Sequence, residues 1–473
     1  MKSKIAKKIK FDRFDIVILG IFVAFFSALL IIGEPIYVSD TYQYDNQMVM
    51  REPGYALLLQ ITRFIAPQNY YEVVIVIQNI LPMITNAAFI IYLRKNFKLN
   101  YLVTLLFSVI MLAPHIMTPL CSHTHLILTN SLMTEAVLFS LYPLFIMCII
   151  DAVKSGNPVG KESLKTVLFC LAISLIRGQM MVLFFVWFIT MIIIALFKDN
   201  GVTLSVKAYI KSKGRIILSL SIIMCSLFIC RSAVSYVYNY LESGIFVDTV
   251  SREALSFANV LYAADREDGE AIEDEVYRNL FYEMYDAADR DKMNYKYAEE
   301  GLLNRAIHHE ACHDELNFTY FGDPAKRYVA ETKNIYIDQF QKVIIEIDKV
   351  AAVLAKELMP VVLDNYVENY IAIAAQGFIR TVSYTHPVFA WYSVCIYLFA
   401  IIVTIILWKK NSRSIPARFM AIILLAIVGN VCATALMVQC ISRYMLYNMP
   451  MFYIAGILEL IELWNISKNK IES

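Results

Sequence analysis

Charge is what this sequence has least of. Only 18% of its 473 residues are Asp, Glu, Lys or Arg, while 59% are apolar. Soluble domains carry about a quarter charged residues, so the composition excludes an ordinary soluble globule. A net charge of +1 provides no basic footprint and speaks against a nucleic-acid partner. The nine cysteines build no disulfide framework. Cys148, Cys170, Cys225, Cys230, Cys395 and Cys432 sit in apolar runs, where Cys acts as a small hydrophobe. No small-residue cleavage site follows the first apolar run, so the basic N-terminus leads into a first span and not a removed signal. Internal repeats and low-complexity tracts are also missing.

What is there is a series of long apolar stretches, each a candidate membrane span. The sequence predicts an all-α polytopic membrane protein with about ten transmembrane helices. They are expected near residues 15–33, 71–93, 101–119, 127–150, 164–177, 180–197, 215–235, 386–408, 416–438 and 444–464. The fifth and sixth share one apolar stretch, broken by Arg177-Gly178-Gln179, which is read as the turn between them.

Short-loop Lys and Arg set orientation. Lys2, Lys4, Lys7, Lys8, Lys10 and Arg13 precede span one, and Arg94, Lys95 and Lys98 follow span two. Lys154, Lys161 and Lys165 lie after span four; Lys198, Lys207, Lys211, Lys213 and Arg215 lie after span six. Lys409, Lys410, Arg413 and Arg418 follow span eight, and Lys468 and Lys470 end the chain. With ten spans all of these share one side, the cytoplasmic one. Three regions follow: a transmembrane catalytic module over 1–235, with its first outer loop at 34–70; a non-cytoplasmic domain over 236–385; and C-terminal transmembrane helices over 386–473. Residues 245–370 hold 26 of the 41 acidic residues and 13 of the 42 basic ones. With helical periodicity such as Val329–Lys356, the middle region is read as acidic and mostly helical.

The first outer loop carries the most chemistry. It reads Tyr37-Val38-Ser39-Asp40-Thr41-Tyr42-Gln43-Tyr44 and then Arg51-Glu52-Pro53-Gly54-Tyr55, followed by an apolar run. Asp40 stands just beyond span one, at the level of lipid headgroups, where a carboxylate could take a proton from an attacking hydroxyl. A helix cap is the alternative role for such an Asp. Asp45 is a second candidate base in the same loop. Arg51, Arg63, Arg177, Arg231 and Arg443 sit at outer span ends, against the orientation bias. Their planar forks suit phosphate, and snorkelling to the headgroups is the plainer reading. Tyr44 and Tyr55 are candidate substrate contacts or interfacial belt residues. Glu135 is a candidate substrate contact or a cap.

These pieces together resemble the GT-C fold glycosyltransferases. The bacterial branch similar to protein O-mannosyltransferases and the lipid A aminoarabinose transferase is nearest. Asp-then-Tyr followed by Arg-x-Pro-Gly-Tyr resembles the family's first lumenal loop. Thr134-Glu135 resembles its Ser-Glu, and Leu175-Ile176-Arg177-Gly178 resembles its Leu-x-Arg-Pro turn, with Gly in place of Pro. Arg443-Tyr444-Met445-Leu446 with Pro450 resembles its Arg-Tyr-x-Leu-Pro. The resemblance covers about residues 15–200 and 430–465, and nothing in 236–385. It implies an inverting transfer of a sugar from a polyprenyl-phosphate donor to a hydroxyl of a cell-envelope glycan, lipid or protein, at the outer face of the cell membrane. It implies Asp40 as base, with Arg51, Arg177, Arg231 and Arg443 as candidates for the donor phosphate. No cofactor is required by that chemistry, and a divalent metal stays an open alternative. The competing functions are a polysaccharide polymerase or ligase, and a lipid-linked glycan flippase or exporter.

One motif points elsewhere. His309-Glu310-Ala311-Cys312-His313 fits H-E-x-x-H, which on a helix puts two His on one face for zinc. Asp314 and Glu315 follow directly, where zinc proteases carry uncharged residues, and Glu331 lies 18 positions after His313 as the nearest third ligand. A protease is therefore not expected. A structural metal at His308, His309, Cys312 and His313, or at His123 and His125, is the weaker alternative.

The orientation is directly testable. A cysteine introduced near Glu273 should react with an impermeant thiol reagent added from outside, and one near Lys211 should not. The reverse pattern would put the whole constellation on the wrong side.

Overall fold

The computed structural model describes residues 12–121, 126–197, 206–250 and 252–471. The described residues are 85% helical and form no strand beyond a single bridge, Ile36 to Ser131. The chain divides into two compact units. One holds Met1–Val38 and Leu59–Met147, the other Ser39–Leu58 and Cys148–Ser473.

In the first unit, α1 (Arg13–Ile32) opens on Asp12, whose carboxylate accepts from the Phe14 and Asp15 amides while Asp15 accepts from the Asp12 amide. This capping box satisfies amides that have no partner inside the helix. Two short helices follow, α2 (Ser39–Asp45) and α3 (Pro53–Ile65). α2 and the first six residues of α3 belong to the second unit. Next come α4 (Tyr70–Phe97), α5 (Tyr101–Cys121) and α6 (Thr134–Ser155). Asp15 is fully buried, yet Lys95 Nζ stands 2.6 Å and Arg94 Nη2 3.3 Å from its oxygens, so its charge is matched where α1 and α4 pack. The span expected from 127 starts later. Leu128–Asn130 is a 3₁₀ turn, and Gln78 of α4 donates to the Thr129 and Ser131 carbonyls. These residues are buried without being helical, which hydropathy cannot distinguish.

The second unit continues with α7 (Lys161–Ile176), α8 (Val182–Phe197) and α9 (Val206–Ser243). Then come α10 (Arg252–Ala263), α11 (Glu275–Arg290), α12 (Leu302–Glu315) and α13 (Gly322–Lys333). α14 (Phe340–Val382), α15 (Pro387–Lys410), α16 (Ile415–Met437), α17 (Ser442–Met445) and α18 (Met449–Ile471) complete it. Among the described residues, nine helices are long and apolar enough to cross a membrane, which is the architecture of an all-α polytopic membrane protein. The tenth expected crossing, α7, has 16 residues. At 1.5 Å per residue it spans about 24 Å, short of the ~30 Å hydrocarbon layer. The break between α7 and α8 falls at Arg177, as the polar triplet predicts.

The middle region is helical and has its own core. Phe257, Phe281, Phe321, Leu354 and Leu358 are all buried in one cluster. Its expected lower boundary at 236 falls inside α9, which continues to Ser243. Nothing between 236 and 243 breaks the helix, which holds neither Pro nor Gly there. At the other end α14, 43 residues long, leaves this core and packs its last turns on α16 and α17.

Phe281→Ala should therefore cost roughly 3–5 kcal/mol through lost burial and an unfilled cavity. Urea unfolding followed by limited proteolysis within 252–360 should show the loss; an unchanged midpoint would mean the cluster is not a stabilising core.

Candidate functional site

The site is built by docking one sequence motif on another. Pro53 begins α3 at the position where a missing N–H costs nothing. Gly54 follows because a side chain there would stand 2.7 Å from the Leu175 carbonyl oxygen. The start of α3 thus lies directly on the end of α7. Arg177 caps α7 with extended backbone, and Gly178 opens a 3₁₀ turn. A Cβ on Gly178 would meet Glu52 Oε1 at 2.2 Å. Gly leaves at 178 the space that Glu52 occupies.

Glu52 is there to meet Arg231 of α9. Arg231 is 1% exposed. Its Nη2 lies 3.0 Å from Glu52 Oε1 and its Nη1 3.2 Å from Asp248 Oδ1, while Ser232 Oγ donates to Asp248 Oδ2 at 2.8 Å. Arg252, at the start of α10, adds its charge nearby. Arg231, expected as a donor-phosphate ligand, is buried here between Glu52 and Asp248. Two carboxylates already match it, and it holds the loop to the bundle.

The remaining arginines converge differently. Arg51 Nη2 is 2.7 Å from Asp40 Oδ1, and Arg443 Nη2 is 3.8 Å from Asp40 Oδ2. Arg51 Nε donates to Gln43 Oε1 at 2.6 Å, and the guanidinium lies 5.1 Å from the centre of the Tyr44 ring. Arg177 lies 4.3 Å from the centre of the Tyr444 ring and Arg443 5.2 Å from the same ring. Arg177 Nε also donates to Gln179, whose amide donates to Asn430 and Thr434 of α16, each at 2.7 Å. Asn430 in turn donates to the Tyr444 carbonyl at 3.1 Å. Asp40, Arg51 and Arg443 all keep about a fifth of their side chains exposed. Burial by itself would push the Asp40 carboxyl up. The guanidiniums of Arg51, Arg443 and Arg177 outweigh it and hold the carboxyl below its ordinary value. Three guanidiniums act on this one carboxylate, and guanidinium forks suit phosphate oxygens.

Other expected contacts lie elsewhere. Tyr44 and Tyr55 are 2% and 1% exposed and meet edge to face at 5.1 Å. Both are core residues, and the Tyr44 ring lies beneath the Arg51 guanidinium. Burial pushes the Tyr44 phenol up to about 12, so it stays neutral. Asp45 is on α2 with Asp40, but five residues turn the helix by about 140° and point it to another face. Glu135 is buried in the first unit, where it accepts from Thr134 Oγ1 at 2.9 Å. Arg63, also in that unit, donates to Tyr70 Oη at 3.0 Å and lies over its ring. Tyr444, Gln43, Gln179, Asn430 and Thr434 were not singled out by sequence as site residues. Tyr444 and Gln179 adjoin named arginines, which is the signal that could have found them.

The H-E-x-x-H segment lies on α12 with one ring nitrogen of each histidine engaged, while His309 Nδ1 and His313 Nε2 are buried without a hydrogen-bond partner. His309 Nε2 and Asn259 Oδ1 are 2.8 Å apart, His313 Nδ1 and Asp314 Oδ1 3.2 Å. Glu310 accepts from Arg380 at 2.8 Å instead of facing the histidines. Among the described residues no group of three His, Cys, Asp or Glu is placed to hold a metal ion. His123 and His125 lie outside the described residues.

Gly178→Ala tests the docking. The added methyl cannot coexist with Glu52 in its present place, so Arg231 loses one carboxylate. Breaking a buried pair costs about 3–5 kcal/mol, and thermal unfolding in detergent should register it; a parent-like melting temperature would refute the arrangement. Comparison with protein-family models, with curated proteins and with solved structures returned no match, so the function rests on the geometry of these residues.

Proposed function

We propose that this protein is a membrane-embedded glycosyltransferase that moves a sugar from a polyprenyl-phosphate donor to an acceptor hydroxyl at the non-cytoplasmic face. The observation that carries this reading is one half-buried carboxylate, Asp40, ringed by Arg51, Arg177 and Arg443. Loop charge puts these residues on the outer side when α7 is counted as a short crossing, and the GT-C resemblance supplies the reaction class. The guanidiniums are held by aromatic faces and amides, so they are aimed before the substrate arrives, as transition-state stabilisation requires.

The acceptor oxygen attacks the anomeric carbon and forms the new glycosidic bond. The bond from that carbon to the phosphate oxygen breaks, and the phosphate leaves as a dianion. The acceptor proton passes to Asp40. In the free site Arg51 and Arg443 suppress the basicity of Asp40. A bound phosphate draws their charge to itself and returns Asp40 toward ordinary carboxylate behaviour.

Transport is the second reading, and one observation favours it. Glu459 is fully buried in α18, accepting from Thr404 of α15 at 2.7 Å, and intramembrane carboxyls mark transport paths by default. It stands alone with a hydroxyl, which suits a helix–helix bond. A polymerase or ligase would differ in taking a lipid pyrophosphate.

Asp40→Asn keeps the shape and cannot take a proton. It should slow transfer from a polyprenyl-phosphate sugar roughly a hundredfold or more, with donor binding little changed. Arg443→Ala should weaken donor binding and slow transfer together, because it acts on the phosphate in both ground and transition states. A folded Asp40→Asn protein working at the parent rate would sink the assignment.

A further inference from the structure

The H-E-x-x-H helix has no part in the site described above, yet Asp314 directly, Glu310 through Arg380 and His309 through Asn259 all reach toward one strip of chain, residues 435–440. Glu310 accepts from Arg380 Nη2 at 2.8 Å and from Gln376 at 3.0 Å. Arg380 Nη1 then donates to the Cys440 carbonyl at 3.0 Å, and its Nε to Thr385. Asp314 accepts from Gln439 Nε2 at 3.1 Å, with His313 beside the same oxygen. His309 bonds Asn259, whose amide reaches the Ala435 and Leu436 carbonyls at 3.4 and 3.3 Å. Those two carbonyls belong to the last turn of α16, where helix carbonyls have no partner of their own. Arg443 follows three residues after Cys440.

We infer that α12 is a positioning element, with Glu310, Asp314, His309 and His313 fixing the 435–440 segment so that Arg443 is aimed at Asp40. The claim that Arg443 meets a phosphate rests on the proposed function; the clamp itself does not. The arrangement explains the motif without metal. Two histidines four residues apart share a face because helical neighbours do, and they are buried at 1% where α12 packs on α14 and α10. The glutamate between them faces α14 and spends its charge on a buried arginine. Asp314 lies close enough for both His313 and Arg443 to lower its carboxyl, the hydrogen bond from His313 being the larger cause. Positioning from outside is also what the site needs. Arg443 sits in the first turn of the continuous helical stretch Ser442–Lys468, which holds it from the C-terminal side only.

Cys440 is fully buried under this clamp and serves as a reporter that needs no enzymatic activity. Alkylation of Cys440, followed by peptide mass spectrometry, should rise several-fold in Glu310→Gln and in the milder Asp314→Ala. Affinity for a polyprenyl monophosphate in detergent should fall about tenfold, the scale of one lost charge-assisted hydrogen bond. In transfer assays KM should rise more than kcat falls, and the affinity loss should vanish in an Arg443→Ala background, since coupled residues are not additive. Unchanged alkylation in both variants would overturn the clamp. Raised alkylation with unchanged phosphate affinity, in a parent that binds it, would overturn the aiming of Arg443. A chelator that raised alkylation of the parent to the variant level would replace the clamp with a metal. Failure of the parent to bind polyprenyl phosphate would count against the proposed function, and the alkylation result would still decide whether α12 holds this segment.

Discussion

A guanidinium in the dry part of a helical bundle costs several kcal/mol unless carboxylates meet it, and Arg231 is such a group. Its partner Glu52 comes from a loop more than 170 positions away in sequence, at |i−j| of 179. That loop can approach only because Gly54 lets backbone lie on backbone and Gly178 leaves room for the carboxylate. Once Glu52 is pinned, its neighbour Arg51 has little freedom and falls beside Asp40 and over Tyr44. The turn that accepts Glu52 is also the one that presents Arg177 to Tyr444. The site is therefore a consequence of one buried ion pair and two absent side chains.

The same turn links the site to the C-terminal helices. Gln179 passes a hydrogen-bond chain from Arg177 to Asn430 and on to the Tyr444 backbone. Each member is satisfied by the next, and a fully satisfied network rigidifies where a partly satisfied one would cost stability. Tyr444 gives both arginines an apolar face that takes no charge from them. Cation–π contact holds a guanidinium in place while leaving its N–H groups for a ligand. A carboxylate in the same position would hold it as firmly and neutralise it.

Much of this was legible in sequence because it rests on long patterns. Nine of the ten expected spans correspond to long apolar helices, and the polar triplet at Arg177 marks a real break. The motif residues Asp40, Arg51, Arg177 and Arg443 do meet, although more than 400 positions separate the first from the last. What was illegible depends on which face a residue takes. Tyr44 and Tyr55 read as interfacial aromatics and are core, since tyrosine is chemically suited to both. Arg231 reads like its fellow arginines because its two carboxylates, Glu52 and Asp248, lie far off and nearby respectively, and neither spacing follows a helical repeat. The start of α6 was misplaced because Thr129, Asn130 and Ser131 are buried through hydrogen bonds to α4 and not through helix formation. The shortness of α7 was hidden because one apolar run served two helices.

Arginines in this molecule divide by burial. Arg231 has two carboxylates within hydrogen-bonding distance and almost no exposure; Arg380 has Glu310 and two further acceptors and is likewise buried. Arg51, Arg177 and Arg443 all face Asp40 and remain partly open. Surplus positive charge held in place is unfavourable for the free protein, because like charges repel and each is partly stripped of water. A fold keeps such a surplus where something anionic relieves it. The two arginines with saturated partners brace the loops on either side, Arg231 behind Arg51 and Arg177, Arg380 behind Arg443. On the proposed reading, bracing and binding are divided between chemically identical side chains, the braces Arg231 and Arg380 being buried and the binders Arg51, Arg177 and Arg443 half-buried.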